Sequence, residues 1–214
     1  MAGQTEHWKG KENAQRYARQ TRIGSRVRYT PFAKKIVQSL GSLDEGATIV
    51  ELGTGPGLLA IELHKLLPQA EIIGVDPSEE MLRIARKNAE EAGMPGFEAK
   101  LGTAEEIPLA PESADLVVSQ SSFHEWQDPH KGLGEVFRIL KPGGRLILKD
   151  YNGAWLSPWK RKLLGRFHHL GMFRYAFQQV ADWFEETGFA AIEGEDKGWQ
   201  YMVQGVKPQA TQRR

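Results

Sequence analysis

The chain contains no cysteine, so disulfide bonds, thiolate chemistry and zinc sites with cysteine ligands are excluded. It also lacks any apolar run near the roughly 18 residues that indicate a membrane helix. The first residues, MAGQTEHWKG, have no apolar segment of the kind that a secretory signal requires. We therefore expect a cytoplasmic protein with no membrane partner, and we predict no metal site.

The charges nearly balance, with 28 lysines and arginines against 27 aspartates and glutamates. Because a net charge of +1 produces no overall attraction to a polyanion, nucleic acid is not an expected partner. The 214 residues suffice to bury a core of their own. We therefore predict a single domain over residues 1–214, present as a monomer or a homodimer.

Short β-branched runs alternate with helical patterns in the middle of the chain. The predicted strands are 47–52, 70–75, 97–101, 114–119 and 144–149, and the predicted helices between them are 57–67, 78–93 and 129–140. Such alternation indicates a parallel sheet with helices on both faces. A helix over 177–189 and two closely linked strands, which must be antiparallel, follow near the C-terminus. The sequence thus predicts an α/β fold with a seven-stranded, mostly parallel sheet and an antiparallel C-terminal strand.

The stretch VELGTGPG, residues 50–57, places three glycines at alternate positions directly after the first predicted strand. Glycine serves where φ must be positive or where another group approaches the main chain closely. In an open α/β sheet, ligands bind beyond the carboxyl ends of the strands, where this loop is expected. The G-x-G-x-G spacing, followed by Leu58, departs from the G-x-G-x-x-G of dinucleotide sites. A dinucleotide and a nucleoside without phosphate both remain open at this point.

Two carboxylates accompany the glycine loop. Asp76 ends the second predicted strand, where it could accept hydrogen bonds from ribose hydroxyls. Glu51 places a negative charge beside the loop, which would repel a pyrophosphate and attract an ammonium group. The alternative interpretations are a solvated carboxylate at a strand end for Glu51, a helix-starting residue for Asp76, and a tight turn without ligand for the glycines.

Five motifs follow one another in a recognisable order: VELGTGPG, GVDPSEEML, GTAEEIPL, ADLVVSQSSFHEW and EVFRILKPGGRLILKD. In their order and spacing the chain resembles class I S-adenosylmethionine-dependent methyltransferases. It is most similar to the branch that includes ubiquinone and menaquinone biosynthesis enzymes and many small-molecule methyltransferases. The resemblance covers roughly residues 47–150. It implies a Rossmann-like fold, S-adenosyl-L-methionine as the cofactor and a small-molecule methyl acceptor.

The resemblance also implies which residues bind the cofactor. They are Glu51, Gly53, Thr54, Gly55, Gly57, Asp76, Pro77, Met81, Thr103, Ala104, Glu105, Gln120 and Ser121. The glycines would pass under the methionine part, with Glu51 near its ammonium group. Asp76 would bind the ribose hydroxyls, and Pro77 with Met81 would flank the adenine.

One position departs from the family pattern. Thr103 stands where the family usually has an aspartate that accepts from the adenine amino group. Either the Thr103 hydroxyl or the Glu105 carboxylate is then expected to make this contact, with the Ala104 amide serving a ring nitrogen. Gln120 and Ser121 would lie beside the sulfonium and the carboxylate-bearing arm of the cofactor.

Methyl transfer from a sulfonium needs alignment above all, because the donor is already activated by its positive charge. A base helps where the acceptor is a hydroxyl or an acidic C–H, and His124 is the predicted catalytic residue. A purely structural histidine is the alternative. Phe123 and Trp126 either wall the acceptor pocket or pack in the core. Glu135 and Arg138, three residues apart on a helix, are predicted to form a local ion pair.

Basic residues concentrate outside the shared motifs, in 9–35 and 159–174. We expect a cofactor-binding core at 47–150, followed by a terminal helix and strand pair at 177–206. Two further parts are expected outside them, an N-terminal helical lid over 8–40 and a helical insertion over 154–176. A positively charged lid would favour an anionic acceptor; a solvated basic face is the alternative. The predicted acceptor-binding residues are Tyr17, Arg28, Trp126, Tyr151 and Arg166.

Two other functions stay open on the sequence. An NAD-dependent dehydrogenase would account for Asp76 and the fold, but not for the glycine spacing or Glu51. A non-catalytic cofactor-binding or RNA-binding protein would account for the lack of an obvious base. Salt-dependent RNA binding without methyl transfer would favour the latter.

Overall fold

The computed structural model describes residues 15, 16, 18, 19, 21, 25–41, 43–155 and 172–209, without the side chains of residues 25 and 26. Residue contacts divide the chain into two compact units, Met1–Thr103 and Ala104–Arg214. The two are called unit 1 and unit 2 below.

Unit 1 alternates helices with parallel strands. Its elements are α1 (Ser25–Arg28), α2 (Thr30–Leu40), β1 (Thr48–Leu52), α3 (Leu58–Leu66), β2 (Glu71–Asp76), α4 (Glu79–Glu91) and β3 (Glu98–Leu101). Both β1 and β3 pair with β2 in parallel. Four of the five β1 residues are buried, which agrees with a strand that helices cover on both faces.

Unit 2 adds the antiparallel part of the sheet. Its elements are β4 (Ala114–Gln120), a 3₁₀ turn (Phe123–Glu125), α5 (Pro129–Ile139), β5 (Leu140–Tyr151), a second 3₁₀ turn (Gly153–Trp155), α6 (Phe177–Thr187), β6 (Ala190–Asp196) and β7 (Gln200–Val206). β4 pairs with β5 in parallel, and β7 runs antiparallel to both β5 and β6. Within this unit β6 is the edge strand.

The strand order is β3-β2-β1 within unit 1 and β4-β5-β7-β6 within unit 2. Six strands run parallel and one C-terminal strand runs antiparallel, as the sequence predicted. The turn between β6 and β7 lies at residues 197–199, where Gly198 has a φ of 80°. The predicted fold class is confirmed.

β5 is longer than the sequence suggested. It begins at Leu140, whereas the predicted strand began at Gly144. Leu140 already pairs with Ala114, and the register then shifts so that Arg145 pairs with Leu116. The bulged residues between Leu140 and Arg145 include Pro142 and Gly143, which a sequence pattern assigns to a turn.

The predicted N-terminal helices are present in part, since α1 and α2 lie within 8–40. Most of the predicted insertion at 154–176 falls outside the described residues, as do Tyr17 and Arg166. The predicted subdivision of the chain thus stays a prediction. No helix in the described part of the chain combines the length and the apolar character needed to cross a bilayer.

Two glycines on α5 offer a matched test of packing in unit 2. A Cβ at Gly132 would lie 2.4 Å from a ring carbon of Trp126, whereas a Cβ at Gly134 would meet nothing within 4 Å. Gly132→Ala is therefore expected to lower the free energy of unfolding by about 1–3 kcal/mol through overpacking. Gly134→Ala should raise it by up to about 1 kcal/mol, because alanine favours a helix. Urea denaturation followed by circular dichroism measures both, and equal effects would contradict the packing explanation.

Candidate active site

The glycine loop of unit 1 joins β1 to α3 with positive φ at all three glycines. The angles are 69° at Gly53, 50° at Gly55 and 74° at Gly57. A Cβ at Gly57 would also lie 3.2 Å from the Cβ of Ala85 on α4. Backbone conformation therefore selects glycine at all three positions, and packing adds to this at Gly57. A Cβ at Gly55 would meet nothing within 4 Å, so a ligand can approach the main chain there.

The Asp76 carboxylate holds this loop from the end of β2. Its Oδ2 accepts a hydrogen bond from the Gly55 amide at 2.8 Å, and its Oδ1 accepts from the Ser78 amide at 2.9 Å. Ser78 is the residue that caps α4, because its Oγ accepts from the Met81 amide at 3.3 Å. The interpretation of Asp76 as a helix-starting residue does not hold. Because an ionised carboxylate accepts about four hydrogen bonds, the two amide contacts are compatible with ribose hydroxyls.

The Glu51 carboxyl lies beneath the loop and is only 3% exposed. Its Oε2 accepts from the Thr54 hydroxyl at 2.7 Å and from the Ala60 amide at 3.1 Å. Burial raises the pKa of Glu51 to about 8, against the lowering effect of these two hydrogen bonds and with a smaller raising effect of Asp76. The interpretation of Glu51 as a solvated carboxylate is therefore wrong. At neutral pH this carboxyl is mostly protonated in the protein without ligand.

The remaining predicted cofactor residues of unit 1 differ in exposure. Pro77 is exposed, Met81 is buried at the start of α4, and Thr103 is half-buried. The Gly102 amide donates to the Asp76 carbonyl at 3.2 Å, which fixes the chain just before Thr103. Their contacts with the adenine stay predictions.

In unit 2, Glu105 binds main chain. Its Oε1 accepts from the Gln127 amide at 2.8 Å and from the Asp128 amide at 3.3 Å. This carboxylate therefore holds the segment before α5, a role that the sequence did not suggest. Ala104 is buried beside it.

Ser121 follows β4 in a strained conformation. Its φ is 56°, a left-handed value that residues with a side chain rarely adopt. The Ser121 amide donates to the Lys149 carbonyl at 2.9 Å, and its Oγ is buried with no hydrogen-bond partner among the described residues. Gln120, the last residue of β4, is 7% exposed. Strain of this kind concentrates at functional sites.

His124 forms a close pair with Asp150 at the carboxyl ends of β4 and β5. The His124 Nδ1 lies 2.8 Å from Asp150 Oδ1, and the His124 amide donates to Asp150 Oδ2 at 3.0 Å. The Tyr151 amide also donates to Asp150 Oδ1, at 2.7 Å. Asp150 is fully buried, and the His124 side chain keeps 12% exposure. Because an ionised carboxylate only accepts hydrogen bonds, a neutral His124 ring that bonds to Asp150 carries its proton on Nδ1 and keeps the lone pair of Nε2.

The surroundings of His124 make its ring more basic. Burial lowers the pKa of His124, but the hydrogen bond and charge of Asp150 outweigh this effect and raise the pKa above the usual value. Glu125, whose Oε1 lies 3.7 Å from His124 Nε2, adds to the rise, and Arg174 opposes it. A ring held in one tautomer with a raised pKa can accept a proton at Nε2.

Comparison with known proteins identifies the family. A model described as a methyltransferase domain matches residues 43–204. The chain belongs to this methyltransferase family. The match confirms the resemblance seen in the motifs, so that the chain is a class I methyltransferase domain with S-adenosylmethionine as its cofactor.

Individual relatives agree with this assignment. An uncharacterized methyltransferase of Schizosaccharomyces pombe, C25B8.09, is 33% identical over 174 residues, which cover 79% of this chain and 65% of that protein. The demethylmenaquinone methyltransferase of Deinococcus radiodurans is 37% identical over 158 residues, 74% of this chain and 59% of that protein. This chain thus spans less than two thirds of either relative. The crystal structure of a SAM-dependent methyltransferase from Aquifex aeolicus has a TM-score of 0.66 at 22% identity, covering 82% of this chain and 89% of that one, and shows the same fold.

The aromatic residues near His124 are mostly packed in unit 2 of the methyltransferase. Phe123 is fully buried, with its ring centroid 4.7 Å from that of Trp126 and 5.6 Å from that of Tyr175. Trp126 is 6% exposed and lies against Gly132. Packing therefore accounts for both rings, and contact of Trp126 with an acceptor stays a prediction.

Arg174 supports the same segment of the methyltransferase. Its Nη1 donates to the Trp126 carbonyl at 3.1 Å and to the His124 carbonyl at 3.4 Å. Glu135 and Arg138 form the predicted ion pair at 2.7 Å, and Arg138 also donates to the carbonyls of Ile107 and Leu109. This pair holds the segment before β4 against α5. The pKa of Glu135 is lowered chiefly by its hydrogen bond to Arg138.

Sequence reasoning named His124 as the candidate base but did not name its partner Asp150. Asp150 follows the strand segment LILK, at the end of a parallel strand where polar side chains are presented to a ligand. That signal could have found it. Tyr151 is half-buried, with its ring centroid 5.8 Å from that of His124. Arg28 lies at the end of α1, and in the described part of the chain no cluster of histidine, aspartate and glutamate could hold a metal ion.

Proposed function

We propose that this methyltransferase domain transfers the methyl group of S-adenosylmethionine to a hydroxyl oxygen of a small molecule, with His124 as the proton acceptor. The observation that carries the proposal is the contact of 2.8 Å between His124 Nδ1 and the buried Asp150 carboxylate. An amine lone pair needs no base to attack the methyl carbon, whereas a hydroxyl must lose its proton. A fixed and basic imidazole is therefore of use to a hydroxyl acceptor and of no use to a neutral amine.

The proposed reaction balances without a further reactant. An oxygen lone pair of the acceptor forms a bond to the methyl carbon as the carbon–sulfur bond breaks and its electron pair returns to sulfur. The hydroxyl proton moves to Nε2 of His124, and Asp150 stabilises the resulting imidazolium through Nδ1. The products are a methyl ether and S-adenosylhomocysteine, and the proton leaves His124 for solvent.

Unit 1 supplies the proposed cofactor contacts. The main chain of the glycine loop would pass under the methionine part, the Glu51 carboxyl would interact with the ammonium group, and Asp76 would bind the ribose. The positive φ values of the loop and its hydrogen bond to Asp76 support this assignment. An anionic acceptor bound by Arg28 and Arg166 stays a prediction, as does the cytoplasmic location.

Asp76→Asn tests the cofactor contacts. An amide retains the size of the carboxylate but loses its charge and one of its two acceptor oxygens, which Gly55 and Ser78 both use. We expect the dissociation constant of S-adenosylhomocysteine, measured by isothermal titration calorimetry, to rise by about 10- to 100-fold, as for loss of a hydrogen bond to a charged group. Asp115→Asn, at a half-buried carboxylate of unit 2 paired with Lys141, is the matched control.

Two results would contradict the proposal at different levels. If the folded wild-type protein gives no heat with S-adenosylmethionine or S-adenosylhomocysteine, the cofactor assignment is wrong for this chain. If it binds them but transfers radiolabelled methyl groups to amines only, with hydroxyl compounds inert, then the role of His124 is wrong. A screen of matched alcohols, phenols and amines separates the two.

A further inference from the structure

Four aromatic rings of unit 2 form a continuous cluster that begins beside His124. We call this cluster, made of Tyr151, Trp155, Phe173 and Trp199, the aromatic platform. The Tyr151 ring centroid lies 5.6 Å from that of Phe173 and 6.3 Å from that of Trp199, and Phe173 stacks on Trp155 at 5.3 Å with 26° between the ring planes. Tyr151 is also the ring that contacts His124, at 5.8 Å.

The platform is open to solvent at its outer end. Trp155 is 44% exposed and Trp199 is 50% exposed. Their segments are neighbours, because a Cβ at Gly198 would lie 3.9 Å from the Trp155 ring. The other large apolar side chains found exposed in the described ranges are Val27, Leu66 and Leu101, all in unit 1. Two partly exposed tryptophans on neighbouring segments, joined through Tyr151 and Phe173, provide apolar surface that a planar ligand can contact.

Asn152 holds the platform in place from below and is 1% exposed. Its main-chain N–H donates to the Trp199 carbonyl at 3.0 Å, and its main-chain carbonyl accepts from the Trp155 N–H at 3.1 Å. Its side chain joins the same two segments, since Nδ2 donates to Asp196 Oδ1 at 2.9 Å and Oδ1 accepts from the Ala154 amide at 3.0 Å. Both tryptophans are therefore attached to one buried residue, and a ligand that stacks on them needs to order little backbone.

We propose that the aromatic platform binds the methyl acceptor, and that the acceptor is a planar aromatic compound whose ring hydroxyl is methylated. This inference rests on the proposed function, since it assigns an acceptor to the reaction of His124. Continuity with the His124–Asp150 pair favours an acceptor over a second protein chain: a ring stacked beside Tyr151 lies one ring away from His124. Aromatic hydroxyls also lose a proton far more readily than aliphatic ones, which suits an imidazole base.

Matched pairs of ring compounds test the proposal. 1-Naphthol and phenol are compared with their saturated counterparts decahydro-1-naphthol and cyclohexanol, each titrated by saturation-transfer NMR into the protein with S-adenosylhomocysteine bound. We expect the aromatic member of each pair to bind more tightly. Trp155→Ala and Trp199→Ala should each weaken 1-naphthol binding by about tenfold, and Trp199→Phe should retain most of it. Leu66→Ala, at a residue 38% exposed in unit 1, is the control and should have no effect.

The affinity for S-adenosylhomocysteine separates a failure of this inference from a failure of the proposed function. Suppose that the wild-type protein and the tryptophan variants bind S-adenosylhomocysteine with equal affinity. If each of these proteins then binds 1-naphthol no more tightly than decahydro-1-naphthol, the platform does not bind the acceptor. Sedimentation equilibrium tests whether a second copy of this chain, rather than the acceptor, occupies the platform. If Trp199→Ala converts a dimer into a monomer, the platform is an interface between copies of this chain and the inference is overturned.

Discussion

His124→Ala is expected to slow methyl transfer to a ring hydroxyl by about 10²- to 10⁴-fold, the usual contribution of a general base. The affinity for S-adenosylhomocysteine should not change, because the cofactor contacts proposed above lie elsewhere. The measurement is the single-turnover rate of radiolabelled methyl transfer at saturating cofactor, with the best phenol or naphthol of the screen. His130→Ala, at a histidine whose side chain is 56% exposed, serves as the control. A rate within a few-fold of the wild type would show that His124 is a structural residue.

Asp150→Asn tests the His124–Asp150 pair through the pH dependence of the methyl-transfer rate. The active form of His124 is neutral, and Asp150 holds its pKa above the usual value, so the wild-type rate should rise with pH through this pKa and then level off. Without the carboxylate charge the inflection should move to lower pH. The plateau should fall as well, because an amide can also donate to Nδ1 and thereby favour the wrong tautomer. A lower plateau with an unmoved inflection would mean that Asp150 only supports the fold.

Glu51→Gln is expected to stabilise the protein without ligand, by an amount that grows with pH. The pKa of Glu51 is about 8 in the folded protein and ordinary, near 4.5, in the unfolded chain. The folded state therefore binds the extra proton, and the stability that this carboxyl contributes is fully present below pH 4.5 and is lost as the pH rises through 8. Between these values the wild type should lose about 1.4 kcal/mol per pH unit relative to the glutamine variant.

Urea denaturation at pH 5.5, 7 and 8.5 measures this difference. The glutamine side chain retains an oxygen that can accept from Thr54 and Ala60, so the comparison isolates the charge. Glu106→Gln, at an exposed carboxylate, should show no such trend. A constant difference between the Glu51 variant and the wild type at all three pH values would exclude a protonated Glu51.

Cofactor binding should then release a proton from Glu51. An ammonium group beside the carboxyl favours its ionised form and lowers its pKa. At pH 7 the heat of S-adenosylhomocysteine binding should therefore depend on the ionisation enthalpy of the buffer, and the Glu51→Gln variant should lose this dependence. Equal heats in phosphate and Tris buffers for the wild type would place the ammonium group away from Glu51.

The sequence predicted the helices and strands of the central fold closely, because their apolar periodicity is strong. β2, predicted over 70–75, is found at Glu71–Asp76, and α5, predicted over 129–140, is found at Pro129–Ile139. The start of β5 could not be predicted, since a bulge at a Pro-Gly-Gly stretch has no periodicity of its own. Family membership also followed from the motifs.

The sequence suggested individual site residues but not which of them lie in contact with each other. His124 was identified from its place after a strand, yet its partner Asp150 lies on the neighbouring strand, and only the pairing of β4 with β5 brings the two together. Burial is the other quantity that a local pattern did not reveal. The carboxylate of Glu51 was weighed as solvated, although its neighbours Val50 and Leu52 are core residues and the whole strand end is covered.

The composition of β6 has a consequence for the behaviour of the protein in solution. This strand forms one border of the sheet, its residues are mostly exposed, and it carries Glu193, Glu195 and Asp196. The unpaired backbone groups of an edge strand can pair with the edge strand of another molecule and so start fibrillar aggregation. A row of like charges prevents this pairing. We therefore expect the purified chain to stay dispersed, and we expect a variant in which these three carboxylates are replaced by amides to aggregate more readily.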